Sequence, residues 1–419
     1  MKLHFVTGLL ITSLMMGSMP LSNAAVTPGS KCPKSGLKQT YKGKTYTCIK
    51  LGKRLYWNNG TRVVISKPTP MPTPIPTPTP TPSPTPTPMP QPCVASVNSF
   101  KVGLAYDIGG RGDKSFNDLA AVGLDEAIRK LCISTQEETL TIGSDSERDN
   151  KLRLLAKAGF NPIIAVGFLY ATSLAKVAAD YPKIQFGIID DASIDLPNVA
   201  GLVFAEHEGS YLAGVAAALA SKSGKIGFIG GVRIPLLQKF EAGFVAGVKA
   251  TRPEFTVDVR YVSEPPDWSG FNDPAKAKVI AKGMIDKGID VMYSAAGGSG
   301  AGNFAAATDA AKAGKKVWTI GADTDQWQTA SADEKMNMLT SVVKRIDVAV
   351  YGAISTLNSG GSLNERLDPK TRSFGRTYGV VQGGLTLARS GGFIEGFMAE
   401  ISKAENGIKS GQIIVPSKP

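Results

Sequence analysis

The chain has 419 residues, 42% hydrophobic and 20% charged, a composition that supports folded domains and excludes a wholly disordered protein. Its net charge of +12 is unevenly distributed, since residues 1–106 contain twelve Lys and Arg and no acidic residue, whereas residues 107–419 contain 35 basic and 35 acidic residues. The large neutral part therefore argues against a nucleic-acid-binding protein, and two histidines, His4 and His207, exclude a site built from several histidines.

Residues 1–24 have the features of a secretory signal peptide. Lys2 precedes an apolar stretch over 3–21, and small residues surround Ala24 at the expected cleavage site. Lys31 directly precedes Cys32, the first cysteine, which does not fit a lipid-attachment motif. We therefore expect an exported protein, at the cell surface or extracellular, without a lipid anchor.

The four cysteines of an exported chain are expected to form disulfides. Three pairings are possible, and the sequence favours Cys32–Cys48 and Cys93–Cys132, because the proline-rich segment between Cys48 and Cys93 would hold the two pairs apart. Each bridge could contribute about 2–4 kcal/mol.

Residues 25–66 form a basic module around the first cysteine pair, with nine Lys and Arg, no acidic residue and several aromatic residues. The pattern predicts a small β-rich unit that depends on its disulfide, because so short a segment has little core. Such a module could bind an anionic cell-wall polymer, phospholipid headgroups or nucleic acid, or it could have no dedicated partner.

Residues 67–92 form a spacer of low complexity. Every second residue from Pro68 to Pro92 is proline, thirteen in all, which excludes helix and sheet and favours polyproline II. At about 3.1 Å per residue the spacer reaches on the order of 80 Å.

From Phe100 onward, apolar β-branched runs alternate with helical segments. The runs that predict strands are 101–106, 162–166, 184–189, 199–204, 225–229, 257–262, 291–293 and 317–320. The segments that predict helices are 116–131, 171–179, 209–220, 237–250, 275–287 and 304–313. The alternation predicts parallel βαβ units, and so long a segment predicts two α/β lobes with a ligand cleft at the carboxyl ends of their strands.

Polar or glycine-rich motifs follow these strand ends in a recognisable order. They are KVGLAYDIGGRGDKSFNDLAAVGL, FGIIDD, GFIGGVRIPLLQKFEAGFVAGV, AAGGSGAGNF, GADTDQ and LTSVVKRID. Over about 100–400 the chain resembles the BMP family of substrate-binding proteins, the basic membrane protein, Med and PnrA-like group.

The resemblance implies a type I periplasmic-binding-protein fold, with two doubly wound parallel-sheet lobes and a ligand cleft between them. It implies a solute-binding protein that delivers a small polar ligand, most often a purine nucleoside, to an ABC transporter permease. Phe116 would stack on the base, and Asn117 and Asp190 would form hydrogen bonds with its edge. A second ring against the base could come from Trp268 or Phe271, or from Tyr293 or Phe304.

The resemblance also assigns the ribose contacts. Asp107, Asp323 and Lys344 would hold the hydroxyls, and Gly297 and Gly298 would let the backbone approach the sugar. Since buried carboxylates need a counter-charge, Lys344 would provide it for Asp107 and Asp323.

We expect residues 93–419 to divide into lobe 1, about 93–205 plus 322–380, and lobe 2, about 206–321 plus 381–419. We expect neither an enzyme nor a cofactor or metal site. The alternative function is a wall-attached ligand sensor or interaction protein that uses the same fold for signalling.

Overall fold

The computed structural model describes residues 26–62 except Gly43, and residues 100–419 except 108–109, 114, 141–142 and 369–372. The predicted signal peptide, the proline-rich spacer and Cys93 lie outside the described residues, so the Cys93–Cys132 pairing stays a prediction. The chain divides into an N-terminal unit and a large unit, with the boundary after Thr87. In the described part of the chain, no helix combines the length and the apolar character that crossing a membrane requires.

The N-terminal unit is a small antiparallel sheet. Its strands are β1 (Lys38–Tyr41), β2 (Lys44–Leu51), β3 (Arg54–Trp57) and β4 (Thr61–Arg62). Strand β2 lies at the centre and pairs with the other three. The predicted Cys32–Cys48 disulfide is confirmed, and it packs with Val26, Tyr46 and Trp57 as the core of the unit.

The large unit contains thirteen described strands, which confirm all eight strands that the sequence predicts. They are β5 (Lys101–Ala105), β6 (Ser134–Glu138), β7 (Ile163–Ala165), β8 (Phe186–Ile189), β9 (Val199–Phe204), β10 (Lys225–Val232), β11 (Thr256–Ser263), β12 (Val291–Ala295), β13 (Trp318–Asp323), β14 (Met338–Lys344), β15 (Arg366–Asp368), β16 (Ser373–Tyr378) and β17 (Leu385–Leu387).

Helices connect most of these strands. They are α1 (Phe116–Leu131), α2 (Asp145–Lys157), α3 (Ala171–Asp180), α4 (Glu206–Ala220), α5 (Pro235–Thr251), α6 (Pro274–Asp286), α7 (Gly300–Lys312), α8 (Ala332–Lys335), α9 (Ile346–Asn358) and α10 (Met398–Lys409). The sequence predicts six of them and misses α2, whose exposed face is rich in charged residues, together with α8, α9 and α10.

The strands form two sheets, which confirms the two α/β lobes. The first sheet has the order β15-β16-β9-β8-β7-β5-β6 and the second the order β11-β10-β12-β13-β14-β17. Only the outermost strands β15 and β17 pair antiparallel with their neighbours. Both sheets therefore have parallel centres, with strand carboxyl ends aligned along one edge.

The chain passes between the sheets after Phe204, after Lys344 and after Tyr378. The sequence assignment of 322–344 to lobe 1 is wrong, because β14 pairs in parallel with β13 inside the second sheet. Helix α9 then packs on α1 of the first lobe, where Gly123 approaches the backbone of Asp347. Without β14, one side of β13 would lack backbone hydrogen-bond partners, so the crossing follows β14.

Replacing Cys32 and Cys48 together by Ser should unfold the N-terminal unit without unfolding the large one. The described part of its core has only five buried residues, and the loss of the crosslink costs about 2–4 kcal/mol. Hydrogen exchange should then show lost amide protection over Lys44–Leu51 and unchanged protection over Lys101–Ala105. Retained protection in β2 would contradict the prediction.

Candidate ligand-binding site

Four of the predicted site residues stand at the carboxyl ends of strands. Asp107 and Asp190 follow β5 and β8 of the first sheet, whereas Asp323 and Lys344 end β13 and β14 of the second. Asp190 and Asp323 have left-handed backbone conformations, with φ of 68° and 67°. Non-glycine residues rarely take this conformation, and it turns the chain away from each strand at the point where a ligand would bind.

Two hydrogen bonds connect three of these strand ends, Asp190, Asp323 and Lys344, to residues of the opposite lobe. Lys344 Nζ donates to Asp190 Oδ1 at 2.6 Å, and Ser115 Oγ, just before α1, donates to Asp323 Oδ2 at 3.2 Å. The structure therefore brings three predicted residues, Asp190, Asp323 and Lys344, to one place between the lobes.

The ammonium of Lys344 lies in a buried chain of charges. Its side chain is 2% exposed, and besides Asp190 it donates to Glu206 Oε1 at 3.0 Å. Glu206, the first residue of α4, is fully buried, and its other oxygen accepts from Lys239 at 3.2 Å. Sequence reasoning missed Glu206, although its position directly after a strand end was a usable signal.

Burial and charge shift the pKa values of this group in different directions. Burial raises the pKa of Asp190 to about 6, even though Lys344 opposes the shift, and burial also raises the pKa of Asp323. Burial alone would raise the pKa of Glu206, but Lys344 and Lys239 hold it below its usual value. Burial alone would lower the pKa of Lys344, but the surrounding carboxylates keep it above its usual value. The lysine is therefore a permanent cation at neutral pH.

Three aromatic rings also surround this cation. The distances from Lys344 Nζ to the ring centroids are 4.9 Å for Phe204, 5.6 Å for Phe116 and 5.8 Å for Phe240. Phe204 and Phe240 are buried, whereas Phe116 is half-buried at the start of α1. Of the three rings, Phe116 is thus the one with a face that a ligand could reach.

The counter-charge of Asp107 differs from the prediction. Arg148 of α2, itself buried, donates to Asp107 Oδ1 at 3.1 Å, whereas Lys344 binds Asp190 and Glu206. The reason is topological, since α2 packs beside β5 and places an arginine next to its end. Arg148 is the second residue that the sequence analysis missed.

Asn117 is tied into the loop that precedes α1. Its Oδ1 accepts from the backbone N–H of Asp107 at 3.1 Å, and its Nδ2 donates to Asp113 Oδ2 at 2.9 Å. Asp113 also accepts from the backbone N–H groups of Ser115, Asn117 and Asp118 at 2.8–3.1 Å, which satisfies the exposed donors at the start of the helix. These contacts hold Phe116 in place, and a contact of Asn117 with a base stays a prediction.

The glycine loop forms a short 3₁₀ turn, Gly297–Ser299, directly after β12. Gly297 has φ of 56°, and a Cβ there would lie 3.1 Å from the carbonyl oxygen of Phe271. Ser299 Oγ donates to Gly270 O and accepts from the N–H of Asp273, both at 2.7 Å. The loop that includes Gly297 and Gly298 is therefore fastened to the segment that carries Phe271.

The structure separates the four candidates for a second stacking ring. Tyr293 and Phe304 are buried in the core, whereas Trp268 is 40% exposed and Phe271 is half-buried. The ring of Phe168, which follows β7 in the first lobe, lies 5.9 Å from Trp268 and 6.4 Å from Phe271 of the second lobe. Trp268 and Phe271 therefore remain as candidates, and Phe168 joins them.

Among the described residues, no three His, Cys, Asp or Glu side chains are grouped so that they could hold a metal ion. The arrangement offers carboxylates, a cation and aromatic faces, which suit a polar ligand with a flat ring.

Comparisons with known proteins agree with this architecture. A family model described as ABC transporter substrate-binding protein PnrA-like matches residues 100–418. The CD4+ T-cell-stimulating antigen of Listeria monocytogenes is 34% identical over 343 residues, which cover 77% of this chain and 90% of that protein. The ABC transporter nucleoside-binding protein BmpA of Lactococcus lactis is 32% identical over 328 residues, which cover 76% and 89%.

Solved structures give the same fold. A solute-binding protein of an ABC transporter system from Aeropyrum pernix superposes with a TM-score of 0.61 at 28% identity, over 76% of this chain and 94% of that one. A second such protein, from Conexibacter woesei, superposes with a TM-score of 0.60 at 21% identity, over 76% of this chain and 99% of that one.

Replacing Lys344 by Met should lower the free energy of unfolding by about 3–5 kcal/mol, because Asp190 would stay buried without its cation and Glu206 would keep only the half-buried Lys239. Denaturant unfolding at pH 7 measures the loss. Lys287→Met is the matched control, since its side chain is 65% exposed and lies 4.0 Å from its nearest carboxylate, and it should change stability little. Equal effects of the two substitutions would contradict the prediction.

The stability of the wild-type protein should fall relative to Asp190→Asn as the pH rises from about 4 to about 6. The carboxyl of Asp190 titrates near 3.8 in the unfolded chain and at about 6 in the folded one, so only the folded state keeps the proton within this window. The difference should amount to roughly 2 kcal/mol and become constant above pH 7. Unfolding curves of both proteins across pH 4–7.5 test it, and a flat or rising difference would refute it.

Proposed function

The chain belongs to the PnrA-like family of ABC transporter substrate-binding proteins, and we propose that it binds a purine nucleoside by lobe closure and delivers it to a membrane permease. Solute-binding proteins of this kind act outside the cytoplasm, in agreement with the signal peptide that the sequence predicts. The similar protein of Lactococcus lactis is named as nucleoside-binding, which supports the ligand class.

One observation carries the proposal: carboxylates, a cation and an accessible aromatic ring converge from both lobes at the strand ends. A nucleoside has a flat base and a ribose with vicinal hydroxyl groups. Phe116 supplies a face for the base, and Asp107 and Asp323 supply oxygens that accept from hydroxyls. This set fits a neutral ligand better than a phosphorylated one, because the carboxylates would repel a phosphate.

Lys344 supplies a donor in the same place. An ammonium group has three hydrogens, and within the described residues two carboxylates, those of Asp190 and Glu206, accept from it. The third hydrogen can bind a ribose oxygen or a ring nitrogen. Because two anions already fix the ammonium, it would be oriented before the ligand arrives, which lowers the entropy cost of binding.

The positions of the crossings explain how the lobes would close. Glu206 begins the segment after the first crossing and Lys344 ends the segment before the second, so the buried charge chain lies at the hinge. The hydrogen bond from Ser115 to Asp323 already joins the two surfaces that closure would bring towards each other. Closure of this kind surrounds a ligand with protein and requires no covalent step.

Phe116→Ala and Asp323→Asn should each weaken adenosine, guanosine or inosine binding by about 100-fold or more without unfolding the protein. The first substitution removes a stacking face, and the second replaces a charged acceptor of hydroxyl groups by a neutral amide. Isothermal titration calorimetry with the three nucleosides measures the loss, and ribose, free bases, sugars and amino acids serve as comparison ligands.

Phe393→Ala is the matched control for Phe116→Ala. Phe393 packs on Trp318 with ring centroids 4.9 Å apart, and Trp318 begins the strand that Asp323 ends. The substitution Phe393→Ala should leave the nucleoside affinity unchanged. If the protein binds only another class of ligand, the proposed receptor function is retained and the proposal of a nucleoside ligand is refuted. If both site variants keep the wild-type affinity, the proposed location of the binding site is refuted.

A further inference from the structure

The sheet of the N-terminal unit has one covered face and one open face. Val26 and Cys32 of the preceding segment pack with Tyr46, Cys48 and Trp57 on the covered face. Because side chains alternate along a strand and directly paired residues share a face, the register assigns the opposite face. That outer face carries Lys38, Thr40, Thr45, Thr47, Ile49, Leu51, Arg54 and Tyr56.

The whole unit is strongly cationic. Eight basic residues with described side chains are exposed to solvent: Lys31, Lys34, Lys38, Lys42, Lys44, Lys50, Lys53 and Arg54. Residues 26–62 contain no Asp or Glu, so no acid of the unit can neutralise them. At physiological salt such a field extends about 8 Å from the surface, which is enough to attract a polyanion.

The outer face also carries hydroxyl and apolar groups, which can contact the uncharged parts of a ligand. Lys38 lies on β1 and Arg54 lies on β3, at opposite sides of the sheet. The hydroxyl of Thr40 on β1 is 3.2 Å from the hydroxyl of Thr45 on β2. Ile49 is 38% exposed, and its cross-strand partner Tyr56 is half-buried, so together they offer a flat apolar contact. Cations suit phosphate groups, hydroxyls suit sugar or polyol hydroxyls, and the apolar strip suits sugar C–H groups.

We propose that this outer face binds a phosphate-bearing polymer of sugar or polyol units in the cell envelope. The face lacks the fully exposed aromatic rings on which nucleic-acid bases stack. Its apolar part is limited to Ile49, Leu51 and Tyr56 beside Arg54, and the rest of the face is polar, so it lacks the wide apolar surface that enters a lipid layer. The proposal does not depend on which ligand the large unit binds.

Co-sedimentation of the full chain with purified cell walls tests it. The chain should bind walls that carry their phosphate polymer, lose binding when hydrofluoric acid has removed that polymer, and bind more weakly as salt increases. Lys38→Gln with Arg54→Gln should weaken binding by roughly 10- to 30-fold. Lys44→Gln with Lys50→Gln removes the same charge from the face that carries Tyr46 and Cys48, because both lysines alternate along β2 with the outer-face residues, and it should weaken binding less than about threefold.

Three outcomes would overturn the proposal: equal binding to stripped walls, equal losses in the two double variants, or tighter binding to phosphatidylglycerol vesicles or single-stranded DNA. Hydrogen exchange over Lys44–Leu51 shows whether each variant is folded. If the outer-face pair does not fold, the single substitutions Lys38→Gln and Lys44→Gln give the same comparison.

Discussion

The contact between Lys344 and the carboxylates of Asp190 and Glu206 is the interaction on which the large unit depends. A buried cation of this kind is tolerated only when anions lie within hydrogen-bond distance, and here they come from two different lobes. The requirement fixes the position of β14 in the second sheet against the end of β8 in the first. The same requirement places the ligand groups, because the charge chain and the site share residues.

The chain crossings and the candidate site therefore share residues. Phe204 and Lys344 end strands that lead into the first two crossings, and the ring of Phe204 lies 4.9 Å from the ammonium of Lys344. A ligand that bound this group would contact the segments about which we propose that the lobes move. In a two-lobed receptor this couples occupancy of the site to closure without any long-range pathway.

The N-terminal unit differs from the large unit in what stabilises it and in its charge. Its described residues form a core of five buried residues, two of which are the disulfide-bonded cysteines, so we expect the unit to depend on covalent constraint more than on buried apolar area. All of its charged residues are basic, whereas residues 107–419 have balanced charge. Two parts of one chain with such different charges are consistent with the two different partners that we propose for them.

The sequence by itself determined eight of the thirteen described strands of the large unit, six of its ten described helices and the strand-end motifs, because hydrophobic periodicity and the order of motifs are properties of the chain alone. All eight predicted strands and the Cys32–Cys48 bridge are present, and Asp190, Asp323 and Lys344 do come together. Only the tertiary structure decided which charges meet: Arg148 rather than Lys344 beside Asp107, Glu206 beside Lys344, and Phe168 against Trp268. It also decided that β14 joins the second sheet. These pairings depend on how separate helices and strands pack in space. Residues that are far apart in the chain carry no local sequence pattern that would reveal such a pairing.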